Sequence, residues 1–495
     1  MFVQDDFRAT DRLTLNLGLR WDLSQGDREK YNRLAYFDPN APSPLAGPAG
    51  LPNLKGTAVW VGQGNPKDQQ ETRWNNINPR FGFAYQLPHN AVVRGGYGIF
   101  FLPKSVAGSG FGAIGTTVDT LMPIDSVIPA NNLTNPFPQG VSLPVNDRNP
   151  STGAGSTISI PLYAYKSGYV QMFSLGFQKQ LPWGMMVDAH YWANLGIHIA
   201  TSKNLNQLPN QYLSLGTKLT TTTVPNPFYG VLANQSAPGQ KNITLRQSLL
   251  PYPQYVGDSG LAQVYEPAGR TNYNAATMQI MKRLSKSLSF NAAYTYAKSM
   301  DDLGTPLDSY NRHGEYALSD LDVTHQGIIS FLAQLPFGRN RRYAQHMNRV
   351  LDLAVGGWDT NTIVRLQSGF PVNISRPAVL APGADPRVDH PTVQQWFNTS
   401  VITNAGAYSF GNMGRQIPRV RSDMLQNVDF VLVKNINAEV KSHTITTQLR
   451  AESYNFFNHP QFSAPNGSPT SANFGTITTQ ANRPRAFQFA VKIKF

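Results

Sequence analysis

A chain of 495 residues with only 14% charged residues and 41 glycines has a mean hydropathy of −0.32. It contains no run of about 18 apolar residues that would cross a membrane as a helix. This excludes a helical membrane protein but not a barrel, whose strands keep half of their side chains in water. The net charge of +13 raises a nucleic-acid role, but Lys and Arg are scattered through turns and alternate positions. The densest group, Arg339, Arg341 and Arg342, follows the turn Pro336-Phe337-Gly338 and reads as solvated turn charge. The absence of Cys fits an exported protein that does not rely on disulfides.

The opening residues Met1-Phe2-Val3-Gln4-Asp5-Asp6 have no basic, apolar or small-residue cleavage region of a signal peptide. An exported protein needs one, so the sequence predicts that this chain begins inside a longer natural sequence. After Thr10-Asp11-Arg12, Leu13, Leu15, Leu17, Leu19, Trp21 and Leu23 alternate with Thr14, Asn16, Gly18, Arg20 and Asp22. Apolar residues at every second position predict a strand with one apolar face, because successive side chains point to opposite sides.

The same pattern recurs in pairs. Phe81, Phe83 and Tyr85 lead into Leu87-Pro88-His89-Asn90, and Val93, Tyr97, Ile99 and Phe101 return. Phe173, Leu175 and Phe177 reach Pro182-Trp183-Gly184, followed by Val187, Ala189 and Tyr191. Ala276, Met278 and Ile280 reach Ser285-Lys286-Ser287, followed by Phe290, Ala292, Tyr294 and Tyr296. Phe331 and Ala333 descend to Pro336, and Trp358, Thr360, Thr362, Val364 and Leu366 climb again. Val428, Phe430 and Leu432 pass Asn435-Ile436-Asn437 to Thr447, Leu449 and Ala451.

Long Pro-, Gly-, Asn- and Ser-rich segments separate these pairs, near 25–76, 102–167, 197–271, 298–322, 368–426 and 458–484. Alternating short and long connections suit an outer-membrane barrel, with tight periplasmic turns and long outer loops, and not a compact soluble domain. The connection from Pro336 to Trp358 is long for the turn side and has room for a short helix. The sequence therefore predicts an all-β, antiparallel transmembrane β-barrel of about thirteen strands, amino-terminally truncated, spanning residues 1–495. Its carboxyl terminus is expected in the periplasm. Bacterial single-chain barrels have even strand numbers, so an odd count predicts strands missing from the amino end.

The last ten residues, Ala486 to Phe495, alternate throughout. Phe487, Phe489, Val491, Ile493 and Phe495 face one way, as a candidate carboxyl-terminal assembly signal, and Lys492 and Lys494 face the other. Charge on the lipid face costs about 2–4 kcal/mol at the midplane. Arg20, Asp22, Arg80, Arg94, Arg365, Arg450, Glu452, Lys492 and Lys494 are therefore expected to face the lumen. Two roles stand open for them: Arg–carboxylate pairs that stiffen the wall or hold a plug, and an anion-selective lining. Mixed signs and bidentate Arg geometry favour pairing. Trp21, Tyr97, Tyr191, Tyr296 and Trp358 are expected in interfacial aromatic belts.

Several strings, in order along the chain, resemble the carboxyl-terminal barrel of the TonB-dependent receptor superfamily, in particular its Oar-like branch. They are Val3-Gln4-Asp5-Asp6-Phe7-Arg8, Leu13 to Trp21, Asn78-Pro79-Arg80-Phe81-Gly82-Phe83-Ala84-Tyr85 and Arg94-Gly95-Gly96-Tyr97-Gly98-Ile99-Phe100. Then come Ala293 to Ser299, Gln367-Ser368-Gly369-Phe370-Pro371 and Arg450 to Pro460. The resemblance implies a signal peptide, a plug domain and a barrel of about twenty-two strands with a plugged lumen. The sequence shows no TonB-box, plug or first strands. The aromatic last residue resembles the signal read by the barrel-assembly machinery.

His313, Glu315, Asp320, Asp322 and His325 form the best metal-like cluster, but their spacing matches no fixed site and reads as a solvated loop. Gly108-Ser109-Gly110-Phe111-Gly112 lacks the Lys and the strand-to-helix context of a phosphate loop. His190 and His443 fall on polar faces. Nothing matches a nucleophile elbow. No catalytic, cofactor or metal residues are therefore expected. The expected function is an outer-membrane receptor or transporter with outer membrane lipid, a plug and TonB as partners. The alternative is a cell-surface binding or structural barrel without transport; a secreted soluble β-protein is the remote third reading.

Overall fold

The computed structural model describes residues 1–62, 64–103, 132–135, 137, 151, 153–232, 240–285, 287–339, 341–440 and 443–495. The glycine-rich segment 108–112 and Lys286 lie outside the described residues, as does the His443 side chain. Thirteen strands form one continuous antiparallel path, in sequence order. They are β1 (Phe2–Arg8), β2 (Leu13–Ser24), β3 (Arg73–Leu87), β4 (Ala91–Phe101), β5 (Tyr169–Leu181), β6 (Met185–Asn204) and β7 (Leu261–Ser285). The path continues through β8 (Leu288–Asp301), β9 (His325–Gln334), β10 (Trp358–Gln367), β11 (Leu425–Val440), β12 (His443–Tyr454) and β13 (Ala486–Lys494). The strand number and pairing expected from the alternation are those observed.

The register carries one apolar face across the whole wall. Ile493, Val491 and Phe489 lie opposite Thr447, Leu449 and Ala451, and Leu432 links Ala451 to Thr360. The face continues through Ile329, Ala292, Ile280, Val187 and Tyr191, Leu175, Phe83 and Leu15. Trp21, Tyr97, Tyr191, Tyr296 and Trp358 all fall on it. Among the described residues no protein covers this face: Phe489 is 78% exposed and Leu175 54%. An exposed apolar band of this size marks an interface, here with lipid. The pattern lapses at Asp5 on β1, opposite Leu17.

The turns between β3 and β4 and between β5 and β6 are tight because backbone in the left-handed region reverses the chain there. His89 and Asn90 have φ of 61° and 54°, and Trp183 and Gly184 have 61° and 70°, a conformation that Gly and Asn adopt at least cost. The longer connection between β9 and β10 holds helix α1 (Arg349–Val355), capped by the Asn348 side chain, which accepts the Leu351 N–H at 2.8 Å. Lys434 explains its position. By register this ammonium falls on the apolar face opposite Trp358, and it folds back to donate to the backbone carbonyls of Asp352 and Gly356 at the end of α1.

The long connections carry structure of their own, and the segment 197–271 read as a connection contains the ends of two strands. The β6 and β7 strands run 20 and 25 residues. At about 3.3 Å per residue β7 is roughly 80 Å long, against about 30 Å of hydrocarbon. Its far end therefore stands clear of the membrane. Three register shifts between Gln263 and Thr271, around Pro267 and Gly269, bend it there. Around these stalks the loops pack into a canopy with cores of their own. One core holds Phe37, Trp60, Ile160, Tyr255 and Leu261. Another holds Val372, Phe397, Ile402 and Ile417 with Phe474 packed against it. Almost all fully buried large side chains belong to this canopy rather than to the wall.

Among the described residues, β1 pairs only with β2 and β13 only with β12, so both outer edges lack a strand partner. Antiparallel order along the path makes β1 and β13 run in the same direction. The chain alone should therefore not run as a compact, heat-modifiable monomer on an unboiled gel, and such a species would contradict the open path. In a chain without Cys, Ile493→Cys should stay protected from a water-soluble maleimide in bilayers while Lys492→Cys reacts. The reverse order would mean that the strand is slipped by one residue, since a slip exchanges its faces.

Candidate functional site

All nine charges nominated from the sequence fall on the face opposite the apolar band. The register aligns Arg80 with Gly18 and Gly98, and Arg94 with Ala84 and Gly176. Arg365 lies beside Ile328 and Asn427, and Lys492 and Lys494 beside Gln448 and Thr446. Two pairs form along single strands: Arg20 Nε to Asp22 Oδ1 at 2.7 Å and Arg450 Nε to Glu452 Oε1 at 2.9 Å. Arg80 places its guanidinium 4.6 Å from the Phe100 ring centroid. Among the described residues Arg365, Lys492 and Lys494 enter no ion pair.

Arg94 does more. Its Nη2 lies 2.9 Å from Asp188 Oδ2 and 2.9 Å from His190 Nε2, and His190 also touches Asp188. This joins β4 to β6 across β5. Gly176 makes the arrangement possible, because the His190 ring occupies the space that a Cβ there would need. Sequence reading nominated Arg94 but not its partners, since Asp188 and His190 are 94 and 96 residues away.

The canopy carries a denser charge network on the rim of β7 and β8. Arg312 donates to Glu266 Oε2 at 3.0 Å and Thr201 Oγ1 at 3.0 Å, and lies 3.8 Å from Asp302. Arg270 also reaches Asp302, at 3.3 Å. Arg415 binds Asp301 Oδ1 at 2.7 Å and its backbone oxygen at 2.8 Å. Arg376 donates to Glu315 Oε1 at 2.8 Å. Arg421 holds Asp322 and Thr324, and donates to the Gly369 carbonyl at 2.9 Å. Asp302, Asp322 and Glu315 are almost wholly buried. Paired guanidinium forks are what makes such burial tolerable.

This dismantles the metal-like cluster and corrects its reading as a solvated loop. Glu315 and Asp322 are buried on different arginines, Asp320 accepts from Gln416 at 2.9 Å, and His325 packs on Tyr294 in the wall. Of the five residues, His313 and Asp320 are the two on the loop itself that are exposed. The arginines Arg270, Arg312, Arg376, Arg415 and Arg421 were not legible beforehand. Their partners lie up to 114 residues away, in loops or at the outer ends of strands β6, β7 and β8, and no local periodicity links segments so distant.

Burial alone would raise the Glu315 carboxyl, but hydrogen bonds from the Arg376 side chain and the Leu307 N–H, with the charges of Arg376 and Arg415, outweigh it and lower its pKa. A carboxylate lowered by folding stabilises the native state above its unfolded value, and that contribution fades as pH falls through the native value. The canopy should accordingly resist proteolysis at neutral pH and open on acidification below the usual carboxylate range. Arg376→Met should open it at neutral pH, because an orphaned buried carboxylate costs about 3–5 kcal/mol. Unchanged cleavage of residues 305–320 in this variant would contradict the assignment.

Among solved structures, the chain is similar to the outer membrane transporter YddB from Escherichia coli, at 9% identity and TM-score 0.44, over 99% of this chain and 44% of that one. It is similar to the siderophore receptor PiuA from Acinetobacter baumannii, at 9% identity and TM-score 0.41, over 99% and 42%. The pyoverdine outer membrane receptor FpvA from Pseudomonas aeruginosa PAO1 gives 11% identity and TM-score 0.41, over 100% and 41%. The chain thus spans well under half the length of these three structures. No curated protein sequence matches it. The profile of the outer membrane beta barrel domain family matches residues 1–488, and with a thirteen-strand antiparallel wall under an exposed apolar band, the chain belongs to that family.

Proposed function

We propose that this outer-membrane barrel domain works as part of the wall and mouth of a TonB-dependent receptor or transporter. The observation that carries the reading is the difference between its two ends. One end is mostly closed by tight turns, while the other rises on β6 and β7 into a canopy with its own cores and buried ion pairs. A loop layer built this firmly suits a surface that must present a fixed shape to a ligand. In this reading the canopy is extracellular and binds the substrate, and the carboxyl terminus lies in the periplasm. The polar face lines the lumen, where the Arg94–Asp188–His190 group ties β4 to β6, and Arg20 and Arg450, paired within their own strands, leave donors for a plug.

The free edges support the same reading. Since β1 and β13 run in the same direction, direct closure would pair them in parallel. An antiparallel barrel closes only if an odd number of further strands lies between them. Those strands, the plug and the contact with TonB belong to the proposal, as does recognition of Phe487 to Phe495 by the barrel-assembly machinery. The order of strings that resemble TonB-dependent receptors, from Val3 to Pro460, supports the coupling.

The test is epistasis in the native cell. Deleting the gene should reduce uptake of at least one labelled nutrient from a panel of ferric chelates, cobalamin, oligosaccharides and oligopeptides. Deleting TonB in addition should reduce that uptake no further. Uptake unchanged across the panel, with the protein abundant at the surface, would favour a structural or adhesive barrel.

A further inference from the structure

The connection between β9 and β10 is unlike the other turns at its end of the wall. Helix α1 carries Val350, Leu351, Leu353, Ala354 and Val355 within its seven residues. At about 100° per residue these five cover a broad arc, and Arg349 and Asp352 occupy the remainder. Asp352 points back to the protein and accepts the Arg339 backbone N–H at 2.7 Å. Among the described residues nothing covers the apolar arc: Val350 is 78% exposed and Leu353 51%. Phe337 and Tyr343, 5.7 Å apart, are exposed beside it.

We propose that this segment, residues 337–357, is a membrane-surface anchor that binds anionic phospholipid, with the apolar arc of α1 lying in the headgroup–acyl boundary. Two observations select this occupant. The first is continuity with the apolar band. Trp358, the first residue of β10, lies on that band, and its indole N–H donates to the Ala354 carbonyl at 2.8 Å. Lys434 ties the other side of the helix end to the wall, 5.4 Å from the same indole ring. The helix is therefore held at the lipid-facing rim. The second is charge. Residues 337–357 contain Arg339, Arg341, Arg342 and Arg349 against the single acid Asp352. Arg341 is engaged with Gln334 at 3.1 Å, and the Arg342 guanidinium lies 5.5 Å from the Tyr343 ring centroid, a face contact that leaves its N–H groups, with those of Arg339 and Arg349, to meet phosphate groups. A short helix with an apolar arc beside arginines is the composition of an interfacial binder.

The inference rests on the barrel's apolar band and not on what crosses its lumen. The test uses the full chain in mixed micelles of detergent and brominated phospholipid, which need no barrel closure. An environment-sensitive fluorophore is placed on single cysteines at Leu353, at Phe489 in the apolar band and at Ala407 in the canopy. Brominated chains should quench the labels at 353 and 489 and spare the label at 407. Quenching at 489 without quenching at 353 would overturn the anchor, including any version in which a protein partner covers α1. Loss of both signals would overturn it together with the lipid-facing band. Replacing phosphatidylcholine with phosphatidylglycerol should strengthen quenching at 353. In the R339Q/R342Q/R349Q variant that preference should fall by roughly fivefold per arginine, the factor that corresponds to about 1 kcal/mol each. An undiminished preference would refute the role of these arginines.

Discussion

Backbone hydrogen bonding in hydrocarbon is the constraint on which this structure depends. No water reaches the bilayer core, and each unmet N–H or C=O there costs several kcal/mol. A chain that crosses as strands must therefore pair each strand on both sides. The continuous ladder from β1 to β13 meets this requirement everywhere except at its two outer edges. The same ladder fixes the faces. With register set, every second residue meets lipid, and the nominated charges fall on the other face, while Asp5 and Lys434 depart from that division.

That division moves the conventional core out of the wall. A sheet that is lipid-facing on one side and polar on the other has little to bury, and its large apolar side chains are exposed. Burial instead occurs in the canopy, where water makes it favourable. Phe37, Tyr255, Phe228 and Phe397 are each at most 2% exposed there. At about 25 cal/mol per Å² of apolar surface removed from water, such residues supply the ordering that loop entropy opposes. The canopy is a folded layer in its own right, joined to the wall through the extended strands β6 and β7.

Charge is handled differently in the two regions. On the wall, Arg20 and Arg450 pair within their own strands, half-exposed, and such pairs contribute little by themselves. In the canopy, the carboxylates of Asp302, Asp322 and Glu315 are buried and depend on guanidinium partners from distant segments. Removing one partner there strands a charge away from water, so these pairs hold the loops in one arrangement. The Arg94–Asp188–His190 group sits between the two regimes, with Asp188 buried and Arg94 half-exposed.

Periodicity determined what the sequence could show by itself. The alternation from Leu13 to Leu23 or from Phe487 to Phe495 assigns a strand and both of its faces without further information. Thirteen such segments, joined alternately by short and long connections, define the wall and its order, and the nominated charges fall on one face for the same reason. Periodicity is silent where the chain is irregular. Nothing local indicates that Glu315 is buried against Arg376 or that Asp301 meets Arg415, because those contacts join residues 61 and 114 positions apart. Nor does the spacing of Lys434 and Trp358 announce that one ammonium leaves the apolar face to cap a helix 78 residues away. These features depend on which loops meet above and below the wall, and only the tertiary structure decides that.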